Sequence, residues 1–506
     1  MRTQTLLLGN GAEPADLDPQ VVTIYTDQNI MMALFEGLTA IDETSSRAVP
    51  AAAERWEVSP DGLVWIFHLR PNLQWSNGEP LTADDFVQSW RRILTPAFAA
   101  EYSYLLFAVK NAEAFTRGEI KDSATLGFAA PDARTVVLTL ARPTPYLPTL
   151  VAQPPWFPVN PRVLAKFNAQ ATRGTAWTRP GNHVGNGPFL LKSWSPNAQL
   201  RVERNPHYWD AAHTHLQAIV FFPIENPEVE ERSFRAGQLH LTASIPLAKI
   251  ATHRQRDPSQ LRSDPFLQTA FIRFNVTRPP FDDPRLRRAL ALAIDREALA
   301  RTVLNGSRPP AFSFTPPGTG GYSSRAQVKT DVAAARQLLA EAGHANGSGL
   351  PAFELLVRSD ELQPKVAEAL QAMWQRELGV RVTIAAVEQK IWIQNQQTLN
   401  YTISSATWAG DFLDPVTFLD LFVTGGGTNW TGWGNAGYDR LIAEAARTTD
   451  PVPRENAFQQ AETLLLQESP ITSLYFGAQN YLIHPSVKNW DPALLGFHRY
   501  QRVELQ

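Results

Sequence analysis

From Asn400 to Trp408 the chain reads NYTISSATW, polar and apolar residues in loose alternation with β-branched members among them. That pattern predicts a half-buried strand. Three residues beyond Trp408 an acid appears, Asp411, and Asp414-Pro415 follows as a turn signal. Similar readings hold elsewhere. TQTLLLGNGAEPADLDPQ (3–20) is strand-like and runs into a Gly/Pro/Asp turn. A helix is predicted from about Asp27 to Glu36, ended by Gly37. SPDG (59–62) is a hairpin turn before the strand-like LVWIFHLR. Thr82 is placed to cap the helix ADDFVQSWRRIL, with acids in its first turn and arginines in its last. ARTVVLTLARPTP predicts another strand, and GNGPFLLKSWSPNAQLRVERN predicts a β-hairpin turning at SPNA. LQTAFIRFNVTRPPFDDPRLRRALALAIDREALA (267–300) reads as a strand, a Pro-rich turn and one amphipathic helix.

Two further helices are predicted at 330–344 and 363–378, and VRVTIAAVE (380–388) as a strand between helices. From Tyr438 to about Ser469 the chain predicts two more helices, and SLYFGAQNYLIH a final strand. Strands interspersed with helices indicate an α/β architecture with mixed sheets.

Composition narrows the function classes. With 506 residues the chain has room for roughly three domains. A net charge of −3 gives no basic surface of the kind nucleic acid requires, and no apolar run reaches the length of a membrane span. The absence of cysteine excludes disulfides, thiolate metal sites and cysteine nucleophiles. TLLLG is too short for a signal-peptide core, so a cytosolic chain and a processed export signal replaced by Met1 both stay open. No nucleophile elbow, zinc-protease or phosphate-loop motif is present. The two Gly-Asn-Gly runs, Gly9–Gly11 and Gly185–Gly187, read as turns, and His213 and His215 as part of a polar loop. Asp84-Asp85 and Asp282-Asp283 fall at helix starts, where capping accounts for them. The expectation is a protein that is not an enzyme and needs no cofactor or metal.

Six blocks carry a resemblance: LDPQ…ALFEGL, PAAAERWEVSPDGLVWIFHLRPNLQWSNGEPLTADDFVQSWRRIL, GNGPFLLKSWSPNAQLRVERNPHYWD, FNVTRPPFDDPRLRRALALAIDRE, LLAEAG and WAGDFLDPVTFL. In this order and spacing they resemble the oligopeptide/dipeptide-binding proteins of ABC importers, family 5 of the extracytoplasmic solute-binding proteins. The resemblance implies a two-lobed α/β fold with an extra third domain. Lobe I would comprise residues 1–35, 162–267 and 477–506, the extra domain 36–161, and lobe II 268–476. The implied function is capture of short peptides between two closing lobes and delivery to ABC permease subunits, in a periplasmic or otherwise extracytoplasmic compartment and as a monomer. The alternative within the family is the same role with a non-peptide ligand such as an opine, an oligosaccharide or a metal chelate.

The resemblance also implies a site. Its Trp-x-x-Asp holds the ligand's α-ammonium, here Trp408 and Asp411 with Ala409 and Gly410 between them. Burying an ammonium without a partner is costly, and a fixed carboxylate offsets that cost. Tyr102 falls where the family has a tyrosine touching the bound backbone. QTAFIRFN matches the strand that pairs with the peptide main chain, with Phe271 and Arg273 on one side of it. Other positions depart from the family. Gln268 and Ala409 replace a cysteine pair, Arg273 stands where an acid can occur, and Gln363, Gln396 and Ser405 stand where basic side chains meet peptide C-termini. Arg358 lies near where dipeptide-type members hold the ligand carboxylate, and Arg273 is a second candidate for that task. VTGGGTNWTGWGNAGYDRLI is expected as a structural loop, with Trp430 behind the ligand contacts.

Overall fold

The computed structural model describes residues 4–506. Thr3, where the first strand-like segment opens, lies outside the described residues. The chain divides into two compact units, Met1–Asp264 with Gln479–Gln506, and Pro265–Ala478.

In the first unit the strands are β1 (Thr5–Gly9), β2 (Thr39–Asp42), β3 (Arg47–Pro50), β4 (Ala53–Val58), β5 (Val64–Leu69), β6 (Phe128–Asp132), β7 (Thr135–Thr139), β8 (Phe189–Ser195), β9 (Gln199–Arg204) and β10 (Ala218–Phe222). One sheet runs β1-β10-β9-β8, with β1 parallel to β10 and the remaining pairs antiparallel. Its alternating Leu6 and Leu8, Leu200 and Val202, and Ile219 and Phe221 pack with Ile30, Met31 and Leu34 of the helix Tyr25–Leu34. A second sheet, β4-β5-β7-β6, is wholly antiparallel. The helix Ala83–Leu94 contacts it, and its start carries the expected cap: Thr82 N–H donates to Asp85 Oδ2 at 2.8 Å in a capping box. Trp90 of that helix is fully buried and donates its indole N–H to the Trp156 carbonyl.

The second unit is built on β11 (Leu261–Phe274), β12 (Phe353–Arg358), β13 (Val382–Val387), β14 (Ile403–Ala409) and β15 (Ile471–Leu482), in the order β13-β12-β14-β11-β15. β12 is parallel to both neighbours and β11 antiparallel to β14, so this sheet is mixed as well. The helix Gln363–Leu378 links β12 to its parallel neighbour β13 and ends at Gly379, whose φ of 68° supplies the left-handed residue that closes it. A short ladder of β16 (Val487–Lys488) and β17 (Glu504–Leu505) completes the C-terminal part of the first unit.

Three expectations need correction. The first helix spans Tyr25–Leu34 and stops short of Glu36, because the Leu34 carbonyl accepts from Gly187 N–H at 3.0 Å. The second Gly-Asn-Gly is therefore a docking strip and not a turn: Asn186 also exchanges side-chain hydrogen bonds with the Glu36 backbone. A Cβ at Gly187 would lie 2.5 Å from the Phe35 nitrogen, so only glycine permits this approach. Third, the helix expected to continue to Ala300 breaks after Leu292, and a new turn starts at Arg296. Asp295 caps that turn by accepting from Ala298 N–H at 2.8 Å, the local competition that short acids offer to a continuous helix.

Candidate ligand-binding site

β14 and β11 place four of the expected site residues, Phe271, Arg273, Trp408 and Ala409, on adjacent strands, with Gly410 and Asp411 just beyond β14. The register sets Gln268 opposite Ala409, Thr269 opposite Trp408, Phe271 opposite Ala406 and Arg273 opposite Ser404. Thr269, Phe271 and Arg273 therefore share one face with Ser404, Ala406 and Trp408. Gln268 and Ala409, expected from the resemblance to stand in place of a cysteine pair, are direct cross-strand neighbours.

At the carboxyl end of β14 the chain Trp408-Ala409-Gly410-Asp411 is pinned from several directions. Trp408 donates its indole N–H to the Thr417 carbonyl at 2.7 Å, Gly410 N–H to the Leu267 carbonyl at 2.8 Å, and Asp411 N–H to Thr417 Oγ1 at 3.3 Å. A Cβ on Gly410 would come within 2.7 Å of Leu267 Cδ2 and 2.9 Å of Phe418. Just beyond, Asp414 takes a two-pronged contact from Arg454, 2.7 and 2.8 Å, and accepts from Val416 N–H. Trp408, Gly410 and Asp411 are half-buried and Ala409 is exposed. These bonds hold the loop's backbone in place while the Trp408 and Asp411 side chains remain partly exposed.

Phe271 is buried in an aromatic cluster with Phe314 and Phe422, at centroid distances of 5.1 and 6.4 Å. Arg273 is buried at 6% exposure, its guanidinium 5.4 Å from the Phe271 ring and 5.1 Å from the Trp430 ring. Its Nη1 donates to Gln396 Oε1 at 2.7 Å, and burial pushes its pKa down to about 10. Arg358, at the end of β12, is already engaged: it forms an ion pair with Asp360 at 2.6 Å, and Asp360 in turn caps the next helix through Leu362 and Gln363 N–H. Gln363 is buried beside Tyr475, and Ser405 is buried with no partner for its hydroxyl among the described residues. Trp430 belongs to a loop that Asn429 braces by donating to the carbonyls of Phe422, Val423 and Trp433.

Tyr102 lies in the first unit, half-buried, its hydroxyl donating to the Thr23 carbonyl at 3.2 Å. That unit also contains a cavity of about 250 Å³ which sequence reasoning missed. It opens at the carboxyl end of β1, a usual ligand position in sheets with parallel pairs, and is lined by Gly9–Gly11, Tyr25, Ala243, Gln479 and His498. The Gly-Asn-Gly run here does turn, with Gly11 at φ 75°, and the signal for a cavity was present only as those small residues at a strand end.

Residues 47–430 match the family described as bacterial extracellular solute-binding proteins, family 5 Middle. The chain belongs to that family. It is 37% identical over 492 residues to the probable deoxycholate-binding periplasmic protein YgiS of Escherichia coli, covering 96% of this chain and 90% of that one. It is 34% identical over 494 residues to the periplasmic oligopeptide-binding protein OppA of Salmonella typhimurium, covering 96% and 89%. Among solved structures, the unliganded open form of the murein tripeptide-binding protein MppA matches with a TM-score of 0.93 at 32% identity, over 100% of this chain and 98% of that one. The two-lobed, mixed-sheet fold is thus the family's, and the family is one of substrate-binding transport proteins. No helix among the described residues is long and apolar enough to cross a membrane.

Proposed function

We propose that the protein is the extracytoplasmic receptor of an ABC importer for short peptides, recognising the free α-ammonium at Asp411 and releasing the ligand unchanged to permease subunits. The supporting observation is the Trp408–Asp411 loop. It is braced through Thr417, Leu267 and the Asp414–Arg454 pair, yet leaves Asp411 half-buried at a strand's carboxyl end. A backbone fixed in this way keeps the Asp411 side chain at one place, where its carboxylate can pair with an ammonium, and the flat Trp408 three residues before it tolerates varied side chains. Ala409 and Gly410 offer backbone contacts between the two, Arg273 is taken as a ligand contact supported by Phe271, and Tyr102 as a contact of the first unit. Arg358 serves only if it leaves Asp360. The receptor acts as a monomer without catalysis, and residues 36–161 form a subdomain within the first unit.

Calorimetric titration with Ala-Ala-Ala and its N-acetylated form tests this reading. The free amine binds and acetylation weakens binding on the order of 10²–10³-fold, the equivalent of breaking a buried ion pair. D411N removes that difference. Equal binding of both forms by the unaltered protein would sink the peptide-amine reading. A second reading has its own support: the relative named for deoxycholate and the buried Arg273, which has no carboxylate partner among the described residues, both suit an acidic non-peptide ligand. Deoxycholate therefore belongs in the same titration.

A further inference from the structure

The second unit buries three arginines that form no salt bridge among the described residues, and two of them are fully served by other acceptors. Arg287 directs Nε, Nη1 and Nη2 at the carbonyls of Phe281, Asp282, Glu468 and Ser469. Arg296 directs its three nitrogens at the carbonyls of Ser473, Ala291 and Ile294 and at Thr472 Oγ1. A buried guanidinium costs little once its fork of donors is satisfied in this way. Arg273 is different. Its one hydrogen bond goes to a neutral amide, and its buried Nε has no acceptor among the described residues. The rings of Phe271 and Trp430 approach the cation, but an aromatic face does not replace in-plane acceptors.

What is missing here is an acceptor and not a donor. Trp392, one helical turn before Gln396 on the helix Gln389–Gln397, also has a buried indole N–H without a partner among the described residues. Satisfying a fork of in-plane N–H groups and a positive charge together calls for a planar anion. Arg358 does not compete, because Asp360 already neutralises it.

We propose that Arg273 receives a carboxylate of the ligand, so that this receptor selects ligands bearing an acidic group. The proposal rests on the ligand-binding reading above and adds the ligand's charge. A peptide can supply the carboxylate from an acidic side chain or from its C-terminus, and the assay separates them. Ala-Glu-Ala, Ala-Gln-Ala and the C-terminal amide of each are titrated into the unaltered protein, R273K and R273M. Removing the carboxylate that Arg273 holds weakens binding by roughly 10–100-fold, the worth of a charged hydrogen bond. A Glu/Gln difference identifies the side chain and an acid/amide difference the terminus. R273M abolishes whichever difference is seen, and R273K keeps part of it. Because a single hydrogen bond to a neutral amide is all that offsets the burial of Arg273, R273M also keeps or raises the melting temperature, whereas R287M lowers it. Should R273M fail to fold, the idea is overturned on that ground, since the arginine would then be structural.

No charge preference in the unaltered protein, or the same preference in R273M, overturns it as well. The amine reading fails separately, by indifference of Ala-Gln-Ala amide, which has no carboxylate, to N-acetylation. If no peptide binds but deoxycholate does and R273M loses it, the carboxylate receptor stands and the peptide falls. If nothing binds, both fall.

Discussion

Glu230 carries a pH dependence that can be worked from its surroundings. It sits on the helix Pro227–Arg235 with no solvent exposure, its two carboxylate oxygens accepting from Ala243 N–H at 2.8 Å and Ser244 N–H at 3.2 Å. Gly9 leaves the room: a Cβ there would lie 1.8 Å from Glu230 Oε1. The two N–H donors favour the ionised form, but burial outweighs them and pushes the pKa from the ordinary 4.5 up to about 7. A carboxyl whose folded pKa lies above its unfolded one holds its proton more tightly when folded. Its stabilising contribution is complete below pH 4.5 and is lost as pH rises through about 7. At 1.36 kcal/mol per pH unit this amounts to about 2–3 kcal/mol between pH 5 and pH 8. Urea unfolding of the unaltered protein and E230Q at both pH values reads the effect. E230Q starts from a different absolute stability, because its amide N–H₂ meets a backbone N–H, but its loss between the two pH values is smaller by that amount. A residual slope of the same sign remains from Asp27, which burial raises to about 6. Equal losses in the two proteins, or a Glu230 carboxyl carbon titrating near 4.5 by NMR, would refute the reasoning.

Two further predictions concern the loop after β14. R454M strands the buried Asp414 carboxylate and destabilises the second unit by about 3–5 kcal/mol in thermal or urea unfolding, and D414N added to it recovers part of the loss. G410A forces Leu267 and Phe418 to give way, costing about 1–3 kcal/mol, and displaces Asp411 so that affinity for a free-amine tripeptide falls in calorimetry. An alanine variant with unchanged affinity would mean that the loop's position does not govern binding.

Elements governed by near neighbours were legible in the sequence: the SPDG and SPNA hairpins and the Thr82–Asp85 cap depend on residues within a few positions of one another. Gly185–Gly187 was misread because its partners, Leu34 to Glu36, lie about 150 residues away, and a glycine required by close approach looks in sequence like one required by a turn. The broken helix after Leu292 failed for a subtler reason: apolar periodicity continues through Ile294, and only the capping competence of Asp295 marks the interruption. The same distinction divides the two candidate arginines. Arg358 is followed two residues later by Asp360, so its neutralisation was visible in the string RSD. The condition of Arg273 could not be read that way, because its single acceptor, Gln396, is 123 residues distant. A charged residue's availability to a ligand is set by what the fold leaves it without, and sequence displays only the partners close to it along the chain. Arg273 is therefore the position where structure changes the functional expectation most, from one of two candidate cations to the one whose buried Nε–H is left without an acceptor among the described residues.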